Sequence, residues 1–142
     1  MIDQKIRNEL LTRPSKPGFL LTPSGLKRKY LARYDLYMSG PGRESVEVRA
    51  LWWAINFDHL RRITNEELAL STMDRRHEYY GSGPLIATGE VGILVRSIDK
   101  FVRYEHMMGK GIEDDEDPLI DAMQDALAYS LLGYCLVRGG LS

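Results

Sequence analysis

The stretch Glu116–Val137, EDPLIDAMQDALAYSLLGYCLV, decides the fold. Asp117, Asp121 and Asp125 recur every fourth residue, so on a helix they stack on one face. The same face continues through Ala128, Leu132 and Cys135. It is acidic for two turns and apolar for the next three. A surface helix ordinarily keeps its acids opposite the apolar stripe. Here acids and core-seeking residues fall in line, and carboxylates projecting into a helical bundle are a common way of holding divalent cations. The helix macrodipole accounts for Glu116 and Asp117 in the first turn, but not for Asp125, more than two turns in.

Helical period also dominates upstream. Thr22-Pro23-Ser24 opens a helix that runs to about Met38, where Ser39-Gly40-Pro41-Gly42 breaks it. A second helix spans about Glu44 to Arg62, with Val48, Leu51, Trp52, Ile55 and Leu60 on its apolar side. Thr64, with Glu67 three residues on as a capping-box partner, starts a third that runs to about Tyr80. Gly81-Ser82-Gly83-Pro84 stops it. Thr88 caps a fourth through about Met108, with Val91, Leu94, Val95, Ile98, Phe101 and Val102 as its apolar stripe. No segment alternates cleanly as a strand. The expectation is an all-α bundle of about five helices in a single domain. Residues 1–24 form a basic N-terminal arm or loop, 25–72 the N-terminal helices, and 73–137 the helical core.

The totals fit a globular chain. Of 142 residues, 44% are hydrophobic and 27% charged, with a net charge of -1, so no global charge draws the molecule to nucleic acid. The charge is uneven, however. Residues 1–33 hold eight bases (Lys5, Arg7, Arg13, Lys16, Lys27, Arg28, Lys29, Arg33) against Asp3 and Glu9. Residues 111–125 hold seven acids and no base. One end suits a metal and the other phosphate, and the basic arm is a candidate contact for nucleic acid. Cys135 is the only cysteine and reads as a small core residue in a reducing cytoplasm. No apolar run reaches the roughly 18 residues of a membrane span, so the expectation is a cytoplasmic protein without a membrane partner.

Several residues carry candidate chemistry. On the last helix Asp121 and Asp125, with Asp117 or Glu116, are candidate ligands for Mg²⁺ or Mn²⁺, since hard cations take oxygen donors. On the fourth helix Arg96, Asp99 and Arg103 share a face, with Lys100 beside them. They form either a solvated salt-bridge ladder or an acid that completes the carboxylate cluster, with cations that hold phosphate. Glu44 and Glu47 read as favourable acids in a first turn, and so does Glu90. His59, His77 and His106 have no zinc-like spacing, and no serine, histidine and acid cluster is visible. Trp52-Trp53 and Tyr79-Tyr80 are base-stacking candidates, but adjacent helical residues point about 100° apart, so at least one of each pair belongs to the core.

Residues 73–137 carry a Tyr-Gly before the fourth helix, then Asp99-Lys100-x-x-Arg103-Tyr104, then an acid-rich opening and Asp121-x-x-x-Asp125-x-x-x-Tyr129. In order and spacing this stretch resembles the nucleotide modification associated domain 1 family of bacteriophages, which is similar to the all-α MazG-like nucleoside triphosphate pyrophosphohydrolases. The resemblance implies a MazG-like core in the C-terminal half and a homo-oligomer, dimer or tetramer. It also implies a nucleotide substrate and Mg²⁺ (or Mn²⁺) held by Asp99, Asp117, Asp121 and Asp125. Asp99 and Asp125 would be catalytic, and Arg96, Lys100 and Arg103 would bind phosphate. A water would attack the α-phosphorus and release pyrophosphate. Where MazG enzymes carry paired glutamates, this chain has Asp99 with Lys100 and Arg103. Two alternatives therefore stand beside the enzyme: a non-catalytic nucleotide- or protein-binding module, and a phage structural or assembly protein.

Overall fold

The computed structural model describes residues 1–14, 21–40, 44–112 and 117–142, with the side chain of Asp117 left out. Among them are six helices: α1 (Gln4–Leu11), α2 (Pro23–Met38), α3 (Val46–Ile63), α4 (Glu66–Tyr80), α5 (Gly83–Gly109) and α6 (Asp117–Val137). The described residues contain no strand, only one isolated antiparallel bridge between Ile2 and Leu141. No helix among them is long and apolar enough to cross a membrane. The chain is all-α, as the periodicity indicates, with one more helix than expected.

The last helix is the axis of the bundle. It packs against α5, α3, α4 and α1, while α2 lies along α5. Its composition suits this role, because leucine and alanine favour helix and fill a core. Burial deepens along the face singled out above. Asp121 is exposed and Asp125 half-buried, while Ala128, Leu132 and Cys135 are buried. Burial pushes the Cys135 thiol up to about 12, so it stays protonated and acts as a small apolar residue.

An aromatic cluster fills the space where α2, α3 and α5 meet. The ring of Tyr30 lies edge-on to Trp52 and Phe101, with centroids 4.8 Å from each, and Trp53 completes the group. Such edge-to-face pairs suit the ring quadrupoles. Of the two tryptophans Trp53 is fully buried. Tyr79 and Tyr80, by contrast, are 81% and 72% exposed. The expectation that one of each pair enters the core therefore holds for the tryptophans and fails for the tyrosines, which sit at the open end of α4.

Other expectations also need correction. The arm at 1–24 contains α1, capped by the Asp3 side chain, which accepts from the backbone of Lys5 and Ile6. Leu10 of α1 is buried, and Asp3 N–H donates to the Gly140 carbonyl at 2.7 Å. On α3 the buried residues are Ala50, Trp53, Ala54, Asn56, Phe57 and Leu60, while Val48, Leu51 and Ile55 face outward. On α5, Val95 and Val102 are likewise exposed. Both helices have apolar residues on more than one face, so periodicity alone does not select the buried side.

Two caps also move. Thr22 caps α2, as expected, by accepting from Gly25 N–H. The cap of α4 is Asn65 rather than Thr64; its side-chain oxygen accepts from Leu68 N–H at 3.0 Å. Asn65→Ala is expected to cost about 1 kcal/mol in urea unfolding, in line with loss of a side-chain N-cap. Thr88 does not start the fourth helix. That helix begins at Gly83 and kinks at Gly89, where φ is 66° and ψ −160°. Such a conformation strongly favours glycine.

Candidate functional site

The open end of α4, the middle of α5 and the polar half of α6 converge on Asp125. This carboxylate holds a cation from each neighbouring helix. Arg76 Nη1 of α4 lies 2.8 Å from Oδ1, and Lys100 Nζ of α5 lies 3.0 Å from Oδ2. Asp125 and Lys100 are largely shielded, with side chains 15% and 18% exposed. A partly buried charge-assisted pair is less screened by salt than a surface pair.

Asp125 also forms the ridge between two clefts. One has a volume of about 340 Å³ and is lined by Met73, Arg76, His77, Tyr80, Leu85, Arg96, Ala128, Tyr129 and Leu132, among others. The other is more open, about 510 Å³, and is lined by Lys100, Arg103, His106, Met107, Asp121 and Ala122, among others. Asp125 contributes to both. We call them the tyrosine cleft and the lysine cleft.

Local structure explains the tyrosine cleft. Gly81, with φ of 66°, ends α4 directly after Tyr80 and leaves that ring at the mouth. Arg96 reaches back along α5 and donates to Thr88 Oγ1 at 3.2 Å and the Pro84 carbonyl at 3.3 Å, bridging the Gly89 kink. Gly92 makes room for this arrangement, because a Cβ there would overlap the Thr88 side chain. His77 Nε2 pairs with Ser82 Oγ at 3.0 Å. Burial, and then the chain-terminal ammonium, hold the His77 imidazole below its ordinary value, against the pull of Asp74. It is therefore neutral at pH 7.

The structure brings together part of the residue set expected from sequence. Asp121 and Asp125 share the lysine cleft with Lys100 and Arg103. Arg96 lines the tyrosine cleft instead. Asp99 lines neither cleft. It pairs with Arg103 at 3.0 Å on the outer side of α5, the two side chains being 49% and 62% exposed. That is the surface ladder, one of the two roles open from spacing alone. Glu116 and the Asp117 side chain lie outside the described residues. Among the described residues, no three His, Cys, Asp or Glu side chains could together hold a metal ion.

Arg76 has no marked signal in the sequence; it lies one turn before Tyr80, a base-stacking candidate, and only that spacing hints at a shared wall. Ser82 and His77 meet, although the sequence shows no serine, histidine and acid cluster. The pair is no hydrolytic triad, because Asp74 is engaged by Arg7 at 2.5 and 2.9 Å and Ser82 is buried. Glu90 is the largest surprise. Instead of a solvated first-turn acid it is a buried carboxylate, accepting from Trp53 Nε1 at 2.8 Å and Arg49 Nε at 2.9 Å. Burial, reinforced by Glu90, pushes the nearby Tyr37 phenol up, while Arg33 opposes the shift.

The basic N-terminal third is partly committed within the fold. Arg7 pairs with Asp74, Lys27 with Glu105 and Arg33 with Glu44. No protein-family model, characterised protein or solved structure matches the chain.

Proposed function

We propose that the protein binds a nucleotide across the Asp125 ridge, with the phosphates on Lys100 and Arg103 in the lysine cleft. One observation carries this reading: a single shielded carboxylate holds cations from two other helices at the junction of two clefts. The pairing keeps Lys100 extended and in place, and preorganised cations bind anions better than flexible ones. The adjoining cleft is largely apolar with a few convergent polar groups, as small-molecule sites usually are. The resemblance over residues 73–137 points the same way.

A second reading, hydrolysis of a nucleoside triphosphate to monophosphate and pyrophosphate, is favoured by Asp121, which lies beside Asp125 in the lysine cleft. A bound Mg²⁺ would supply charge neutralisation at the phosphates. The described donors for such an ion are few, however. Asp125 already has a cation on each oxygen and Asp99 pairs with Arg103 outside the cleft, so Asp121 would be the one described carboxylate for the ion, the rest of its shell coming from phosphates and water. The binding reading requires no such site.

Titration calorimetry with nucleoside mono- and triphosphates and pyrophosphate, with and without Mg²⁺, tests both readings. Lys100→Met is expected to weaken nucleotide binding about tenfold, equivalent to about 1.4 kcal/mol. Arg103→Met should cost less, and its effect should fade with added salt, because Arg103 is 62% exposed. Asp125→Asn separates the two readings. For a binding module it relieves Arg76 and Lys100 of their counter-ion, so pyrophosphate binding holds or tightens. For an enzyme, the pyrophosphate release that the unaltered protein shows would be lost in this variant. If no nucleotide gives a heat or a melting shift, the proposal fails.

A further inference from the structure

We infer that the tyrosine cleft is a nucleobase site, and that its guanidinium edge selects bases with a carbonyl at purine C6 or pyrimidine C4 (guanine, uracil, thymine) over those with an amino group there (adenine, cytosine). This rests on the nucleotide reading above and assigns the part of the ligand that the phosphate contacts leave undetermined.

The composition of the cleft requires more than a phosphate. A phosphate is strongly hydrated and gains nothing from an apolar wall. Yet the back of this cleft is Met73, Leu85, Ala128 and Leu132, each no more than 9% exposed. These side chains are already shielded, and their packed edge offers a flat ring an apolar wall to lie against. The Tyr80 ring at the mouth is 72% exposed, an uncommon placement for so large an aromatic surface. A heterocycle entering the cleft covers it, and base–aromatic stacking tolerates any base. A volume of about 340 Å³ lies near the lower limit of small-molecule sites, roughly 300 Å³, which suits one ring system. Asp125 belongs to both clefts, so a base on one side and phosphates on the other place the sugar over the ridge.

Selectivity follows from the polar edge. Arg76 and Arg96 are its cationic members. A guanidinium has five N–H donors and no acceptor. Arg96 has one N–H on Thr88 Oγ1 and one on the Pro84 carbonyl, and Arg76 donates through Nη1 to Asp125. Their remaining N–H groups are open to acceptors on a ligand in place of water. His77 Nε2 is engaged with Ser82. Asp125, the acid of the cleft, already holds two cations. Carbonyl oxygens of guanine, uracil or thymine satisfy these donors, and arginine pairs well with the O6 and N7 of guanine. At that same position adenine (N6) and cytosine (N4) carry an amino group, which sets donor against donor, a mismatch that discriminates by leaving polar groups unpaired.

Calorimetry with GMP, UMP, AMP, CMP, ribose 5-phosphate and pyrophosphate tests this directly. GMP and UMP are expected to bind at least tenfold more tightly than AMP and CMP, and at least tenfold more tightly than ribose 5-phosphate. Arg96→Met should reduce the carbonyl-over-amino preference to under threefold and leave pyrophosphate binding unchanged. Tyr80→Ala, at an exposed position, should weaken all four nucleotides alike and spare pyrophosphate. Ribose 5-phosphate binding as tightly as GMP would overturn the base site while leaving phosphate recognition intact. AMP matching GMP, or a preference that survives Arg96→Met, would overturn the selection. If pyrophosphate and every nucleotide fail to bind, the underlying nucleotide reading fails, and the base site with it.

Discussion

Gly133→Ala is expected to destabilise the protein by about 2 kcal/mol, and Gly133→Val to abolish a cooperative unfolding transition. Gly133 lies in the interior of α6, where glycine is about 1 kcal/mol worse than alanine on propensity alone. Its presence there is a packing requirement. A Cβ at this position would lie under 3.0 Å from three carbons of the Trp53 indole. Trp53 is fully buried, so the ring has no solvent into which to retreat. It is also tethered, because its Nε1–H donates to Glu90 at 2.8 Å. Overpacking a filled core typically costs 1–3 kcal/mol, and the tether places this site in the upper part of that range once the propensity gain is offset. The check is the urea midpoint read by tryptophan fluorescence. Gly109→Ala is the control: nothing lies within 4 Å of its Cβ position, so it should be neutral or slightly stabilising. Trp53→Phe should partly rescue Gly133→Ala, a non-additivity expected of residues in direct contact.

Glu90→Leu is expected to cost about 3 kcal/mol. The carboxylate accepts from the Trp53 indole and the Arg49 guanidinium, and it is buried. Removing it leaves the indole N–H unpaired in the core, a penalty of about 1–3 kcal/mol. It also leaves a cation without its partner, which for a fully buried pair costs about 3–5 kcal/mol. The Arg49 side chain is 27% exposed, so water recovers part of that second term. Glu90→Gln keeps an acceptor for the indole and loses only the charge, and should cost about half as much. Glu47→Ala, on an exposed part of α3, should stay within about 0.5 kcal/mol of the unaltered protein. Chemical unfolding monitored by far-UV circular dichroism orders the three. Equal effects for Glu90→Leu and Glu47→Ala would mean that the carboxylate does not hold the core.

These two residues show where sequence reading stops. Glu90 and Glu47 look alike in a sequence, each an acid near a helix start. The Gly89 kink separates them: it reorients the chain so that Glu90 heads the long straight part of α5 and meets Trp53 from another helix. Gly133 similarly reads as a weak point in a helix until the indole that rests on it is known.

The sequence alone determined that the chain is all-α, where α2 and α6 run, that Thr22 caps α2, and that Asp121 and Asp125 fall in line with the core residues Ala128, Leu132 and Cys135. These follow from local propensity, capping chemistry and the 3.6-residue period, all carried by neighbours along the chain. The structure adds that this face of α6 runs from exposed Asp121 into the core. Only the tertiary structure decided which side of α5 meets α6. Asp99 and Lys100 are adjacent and point about 100° apart. The packing turned Lys100 toward Asp125 and left Asp99 to Arg103 on the surface. It also drew Arg76 and Tyr80 from α4 to the same ridge. Period states which residues share a face; the contacts among separate helices select the face that is buried, and the candidate site lies where those contacts converge.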